Sequence, residues 1–311
     1  MIALVAQSDE ALAQRLRDQL EQEGHTVCVL DWADILLGQG LSWWVPPQTD
    51  ASKSLLLTKQ KVLRFAEIKA VVYLPSNSSV LPPDQEWEPE DRAYINKEVS
   101  ATILGILHSL NCPVVNLPPA NGRPRLFFAS ACSKKLLLQQ GLRLPPMTVV
   151  TCLQLGKTWM ENLPGPFRVG SLEDLNELGH GLIEHPQPWW DVSQIPFPVF
   201  LQQVPAGKIY HLIIVGPSVL GGKVSPEKFD GSFHTQVEPD DLPPTLIHKC
   251  VDLARSFRLS FSECLITEGP EGNWICLDWS SLPRLSNWGS AMEEPVISKF
   301  VQLLTKNAVR T

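Results

Sequence analysis

The N-terminal third of the chain alternates short apolar runs with helical stripes. Residues 2–6 are an apolar run that reads as a buried strand. Ser8-Asp9 then offers an N-cap, Leu12, Leu16 and Leu20 recur at four-residue spacing on one helical face, and Gly24 stops the helix. Thr26 to Leu30 follows as a second strand, so the segment is a βαβ unit and predicts a parallel sheet. Ala70 to Leu74 supplies another buried strand. Asp91 to Leu110 carries a helical stripe of Tyr94, Ile95, Val99, Ile103, Ile106 and Leu110, and Pro113-Val-Val115 closes the region.

From about residue 116 the pattern changes to α+β. A helix around Ser133 to Gln140 ends at Gly141, and Thr148 to Cys152 reads as a strand. The stretch from Gly156 to Pro198 is loop-rich, with a helix expected over 172–182. Val199 to Gln203 and Tyr210 to Val215 are two strands joined by the turn Val204-Pro-Ala-Gly-Lys208. A helix from Pro244 to Phe257 leads into a hairpin of Phe261 to Thr267 and Trp274 to Arg284, and 294–307 form a last helix. The expected domains are 1–115 (α/β), 116–198 (a reduced central α+β domain) and 199–311 (a C-terminal α+β domain).

Composition narrows the function classes. A chain of 311 residues, 44% hydrophobic, can bury sizeable cores, and no apolar run approaches the roughly 18 residues that span a bilayer. The net charge of −7, with mixed signs along the chain, excludes a general nucleic-acid or membrane-surface binder. Met1-Ile-Ala-Leu-Val-Ala has no basic flank and reads as a strand, not a signal peptide. The seven cysteines form no C-x-x-C pair, which suits free thiols in the cytoplasm. The first turn, Ala6-Gln7-Ser8, lacks G-x-G-x-x-G, so a Rossmann-like shape here does not imply NAD. No Ser-His-Asp, H-E-x-x-H or Walker sequence points to another catalytic class.

Six segments in order carry a resemblance. They are Ile68-Lys-Ala-Val-Val-Tyr-Leu-Pro75, Tyr94-Ile-Asn-Lys-Glu98, Val115-Asn-Leu-Pro118, Gly141-Leu-Arg-Leu-Pro-Pro-Met-Thr148, Phe200 to Lys208 with the strand after it, and the C-terminal hairpin. Together the chain resembles the RimK-like branch of ATP-grasp proteins, particularly the ligases that mature ribosomal peptides. The resemblance implies an ATP-grasp-like fold, α/β and α+β, with an N-terminal Rossmann-like (pre-ATP-grasp) domain. It also implies ATP, magnesium and a carboxylate–amine ligation. Three positions match the family's metal ligands and read Cys264, Asp278 and Ser280, with Pro283 retained. The first phosphate lysine falls on Ser130, the second has only Arg168 nearby, out of register, and the arginine after the hinge is His211.

Phosphoryl transfer needs cations to offset the charge of ATP. The joint loss of these groups implies a pseudoenzyme with no catalytic residue assigned, a scaffold for a peptide or partner protein that assists a biosynthetic enzyme. The alternative is a divergent, active ligase. In it Asp278 and Glu263 hold the metal, Lys135 the phosphate, the Gln203-Val204 backbone the adenine, and His211 lies near the phosphates. Several of these residues also have plainer readings. Asp278 reads as a solvated strand carboxylate, His211 as a hydrogen-bonded structural residue, and Lys134 and Lys135 as a solvated helix face. Pairing about the hairpin's centre would set Cys264 opposite Cys276 with Asp278 on the same face, a soft-metal set or two small hydrophobes. Trp43-Trp44 and Trp189-Trp190 are either a partner platform or a core cap.

Overall fold

The computed structural model describes residues 1–6, 10–31, 41–42, 55–57, 62–74, 88–117, 131–163, 165–171, 182–183, 198–224, 237–239, 241–281, 283, 288 and 290–308. The chain divides into two compact units. One comprises 1–124, 258–261 and 296–311; the other comprises 125–257 and 262–295. Neither tryptophan pair falls among the described residues.

The first unit begins with β1 (Ile2–Val5), α1 (Ala11–Gln22) and β2 (Val27–Leu30). It continues with β3 (Leu41–Ser42), β4 (Leu55–Leu57), β5 (Val62–Arg64), β6 (Ala70–Tyr73), α2 (Pro89–Ser109) and β7 (Val114–Val115). The order β2-β1-β6-β7 with parallel neighbours is the sheet the βαβ pattern predicts. All four residues of β1 are buried, as a parallel strand covered on both faces requires. Ala3 and Val5 join Val71, Val99, Ile103 and Leu107 in one core, while Ile2 and Leu4 alternate to the other face. Leu12, Leu16 and Leu20 form the buried stripe of α1, and Gly24 ends the helix at φ 82°. The N-cap position belongs to Glu10, not Ser8-Asp9, which lie outside the described residues. Tyr94 departs from the expected stripe and is 64% exposed. β3, β4 and β5 form an antiparallel meander that the sequence pattern does not announce.

From residue 131 onward the elements are α3 (Ala131–Gln139), β8 (Leu142–Arg143), β9 (Met147–Val150), α4 (Leu153–Glu161), β10 (Phe167–Ser171) and β11 (Leu182–Ile183). They continue as β12 (Val199–Gln203), β13 (Ile209–Val215), β14 (Ser218–Val224), β15 (Val237–Pro239), α5 (Pro244–Ser256), β16 (Phe261–Glu268), β17 (Trp274–Ser280) and α6 (Ser290–Ala308). The strands build two sheets, β11-β10-β12-β9 and β15-β14-β13-β16-β17-β8. β12 and β13 are joined by 204–208 as expected, yet they lie in different sheets, so this segment is a hinge between sheets. α4 occupies part of the stretch read as loop-rich. The helix expected over 172–182 falls outside the described residues up to 181, and Leu182 begins a strand. Among the described residues no helix is long and apolar enough to cross a membrane.

Candidate functional site

In the four-stranded sheet, Arg168 of β10 stands opposite Gln202 of β12 in the antiparallel ladder. Their neighbours Phe167, Val169, Val199 and Leu201 alternate to the other face and pack with Val150 and with Met160 of α4. Arg168 and Gln202 therefore leave the sheet together on the face away from that core.

The hairpin β16–β17 contains a bulge. Leu265 pairs with Asp278 and Ile266 with Cys276, which leaves Leu277 as the extra residue. An unpaired carbonyl in a buried sheet needs other donors. The Leu277 oxygen receives two, from Arg168 Nη1 at 3.1 Å and Gln202 Nε2 at 2.9 Å. Arg168 Nη1 also donates to Gln202 Oε1 at 3.0 Å, and Nη2 donates to Asp278 Oδ2 at 2.9 Å. The other carboxylate oxygen, Oδ1, accepts the Trp279 backbone N–H at 2.7 Å. The Arg168 and Asp278 side chains are 4% and 2% exposed. Asp278 is therefore not the solvated strand carboxylate that its sequence context suggested; it is a buried ion pair.

The second carboxylate lies along the same face. Glu263 pairs with Ser280, two residues along each strand from the Leu265–Asp278 pair, so Glu263, Asp278 and Ser280 project together. Glu263 Oε2 sits 3.3 Å from His211 Nε2 of β13 and accepts the Trp288 indole N–H at 3.4 Å. His211 is thus buried and hydrogen-bonded.

The register overturns two expectations. Cys264 pairs with Trp279, not Cys276, and both cysteines point to the opposite face from Asp278. Glu263, and not Cys264, therefore shares the carboxylate face. On the opposite face burial pushes the Cys264 thiol well up, reinforced by a hydrogen bond with the Cys250 thiol of α5. Burial likewise pushes Cys276 up, with the Asp278 charge adding to it. Among the described residues no group of three or more His, Cys, Asp or Glu side chains is placed to hold a metal ion.

The remaining candidates lie apart from this cluster or are already engaged. Lys135 is exposed on α3, and the Lys134 side chain lies outside the described ones. A different lysine, Lys249 of α5, donates to the Gln140 and Gly141 carbonyls just beyond α3, where a cation suits the helix end. At the hinge, Gln203 N–H donates to Pro146 O at 2.9 Å and Val204 N–H to Pro166 O at 2.8 Å. The Val204 side chain packs with Ile209, Val224, Leu265, Ile275 and Leu277.

These residues do not fit a magnesium–nucleotide site. Magnesium wants oxygen ligands near 2.1 Å in a nearly octahedral shell. A dication on Asp278 Oδ2 would stand about 5 Å from the guanidinium, a repulsion of roughly 7 kcal/mol at an effective dielectric of 20. Sequence reasoning passed over Gln202 and Trp288, and met Arg168 only as an out-of-register stand-in for a phosphate lysine, not as the partner of Asp278. The available signal was a lone arginine between Phe167 and Val169, opposite a glutamine in an equally apolar strand.

The chain is similar in architecture to solved structures of a macrocyclase and of ATP-grasp ligases. The macrocyclase MdnC bound with precursor peptide MdnA, from Microcystis aeruginosa, superposes with a TM-score of 0.75 at 17% identity, covering 98% of this chain and 100% of that one. A Chryseobacterium gregarium RiPP-associated ATP-grasp ligase, in complex with ADP and a leader and core peptide, gives 0.73 at 13% identity, covering 98% and 96%. The ATP-grasp ligase PsnB, complexed with a phosphomimetic variant of its minimal precursor, Mg and ADP, gives 0.72 at 15%, covering 98% of each chain. No family model and no curated protein matches the chain. At these identities the likeness establishes the fold alone, the one these ATP-grasp structures share.

Proposed function

We propose that this chain is a scaffold with the shape of a peptide-maturing ligase, binding a peptide or partner protein beside a biosynthetic enzyme without turning over ATP. One observation carries the reading: both carboxylates of the hairpin face are buried and already held by donors of the same chain. The hinge N–H groups of Gln203 and Val204 are likewise engaged. The peptide part of the reading is supported by neighbours of this fold bound to precursor peptides. A reducing cytoplasm suits it, since Cys112, Cys152, Cys250, Cys264 and Cys276 are free thiols. Calorimetric titration with ATP, with and without magnesium, tests the nucleotide half. No magnesium-dependent heat is expected. ADP release coupled to an amide product, in the presence of a leader–core peptide of the neighbours' kind, would overturn it.

A divergent active ligase is the second reading. The common face of Glu263, Asp278 and Ser280 favours it, because that is where metal ligands would be needed. The Arg168–Asp278 pair would have to open, with Lys135, His211 and the Gln203-Val204 backbone serving the nucleotide. Under this reading Asp278→Asn abolishes ADP formation, whereas unchanged turnover removes Asp278 from the chemistry.

A further inference from the structure

We infer that the Arg168 guanidinium is a permanent, protein-borne counter-cation for the Asp278 carboxylate, so that the chain needs no metal there to be stable. The inference rests on the scaffold reading and goes beyond it by naming the group that takes the cation's place. A carboxylate with 2% exposure requires a counter-charge or a full set of donors. Arg168 supplies the charge and one donor, and the Trp279 backbone N–H supplies another. The Arg168 charge meets Asp278 Oδ2, and its fork also reaches Gln202 Oε1 and the carbonyl released by the Leu277 bulge. Gln202 completes the lattice by donating to the same carbonyl.

The lattice also has a mechanical consequence. Arg168 and Gln202 belong to the four-stranded sheet, and Leu277 and Asp278 to the six-stranded sheet. A bound metal would link such sheets only while it is present, whereas a side chain links them continuously. The bulge is part of the device, since it turns a ladder carbonyl into an acceptor for the opposite sheet.

Removing the guanidinium should therefore uncover a latent cation requirement. In the full chain, without nucleotide or peptide, Arg168→Met is expected to lower Tm by roughly 10 °C, as for a broken buried pair. Millimolar Mg²⁺ or Mn²⁺ should restore a large part of that loss, while leaving the wild-type Tm unmoved. Arg168→Met combined with Asp278→Asn should show no cation response. Arg168→Lys, which keeps the charge on a shorter arm with a single pole, should show a smaller cation rescue than Arg168→Met. If Arg168→Met unfolds, its refolding yield from urea with and without Mn²⁺ becomes the readout, and a rise with Mn²⁺ is expected. A single variant indifferent to the cation, or a double variant that responds equally, overturns the inference. ATP turnover by the wild type would sink the scaffold reading but leaves these thermal measurements independent.

Discussion

Asn116 should be among the most sensitive single positions in the chain. It is buried, and its backbone sits at φ 56°, in the left-handed region that few residues besides glycine and asparagine adopt readily. Its amide Oδ1 accepts the Ser260 and Phe261 N–H groups at 3.0 and 2.9 Å, and its Nδ2 donates to the Phe261 carbonyl. Phe261 is fully buried and stacked on Phe300 at 4.4 Å, so water cannot take over those two bonds. Losing each costs about 1–3 kcal/mol. The half-buried Ser260 can turn to solvent and adds little. Holding alanine in the left-handed region costs about 1 kcal/mol more. Asn116→Ala should then lose roughly 3–7 kcal/mol, a large share of an ordinary domain's 5–15. Asn116→Gly should recover only the backbone part, about 1 kcal/mol. Urea unfolding followed by circular dichroism measures both. An alanine variant within 1 kcal/mol of wild type would refute the reasoning, as would a glycine variant no better than alanine.

Three further outcomes are expected. Glu263→Ala takes the shared acceptor from His211 and Trp288 and should cost about 2–4 kcal/mol in urea unfolding, with Glu263→Gln milder because one oxygen remains. Gly207→Ala would set a Cβ against the Glu268 carbonyl oxygen and should lower stability by about 1–3 kcal/mol in the same assay. The raised Cys264 and Cys276 thiols should resist iodoacetamide in the native state while the exposed Cys152 reacts, as read by mass spectrometry. Those two thiols stay protonated in the folded chain, while the unfolded chain ionises above about pH 8.5. The unfolded state then binds fewer protons, so their contribution is intact below that pH. It falls above it by up to about 1.4 kcal/mol per pH unit for each thiol. Cys264→Ala with Cys276→Ala should flatten that slope.

Local regularities were legible in the sequence wherever one physical cause dominated. The four-residue spacing of Leu12, Leu16 and Leu20, closed by Gly24, gave α1, and the βαβ order gave the parallel sheet. The hairpin strands were legible too, but not their register. Phasing about the turn's centre set Cys264 opposite Cys276, whereas the turn itself pairs Cys276 with Ile266 and the extra residue at Leu277 then moves the partner of Cys264 on to Trp279. A bulge is set by what its freed carbonyl can bond, here Arg168 and Gln202, which lie about 110 and 75 residues away in the chain. The same distance hid the site. Asp278 looks solvated among its sequence neighbours because its counter-charge comes from another sheet. Trp288 and His211 likewise converge on Glu263 only through tertiary packing.

The carboxylate face leaves little room for intermediate designs. A buried Asp278 is stable with a metal or with a guanidinium, but a dication and Arg168 repel each other strongly at the spacing available. Glu263 faces the same constraint through other partners, the His211 imidazole and the Trp288 indole. The choice between ligase and scaffold therefore narrows to whether Arg168 leaves Asp278 when nucleotide is offered. If it leaves, the guanidinium is free to meet phosphate, and Asp278, Glu263 and Ser280 are left facing a common space. If it stays, ATP meets a face whose carboxylates are already held by partners of the same chain and has no metal to bring it there. Isothermal titration of Arg168→Lys against wild type separates the two outcomes. A shorter, singly pointed cation should release Asp278 more readily, so magnesium-dependent ATP binding gained by the lysine variant alone would locate the block at this one side chain. Equal magnesium-dependent binding by both proteins would show that Arg168 already swings aside, and the scaffold reading would then fall.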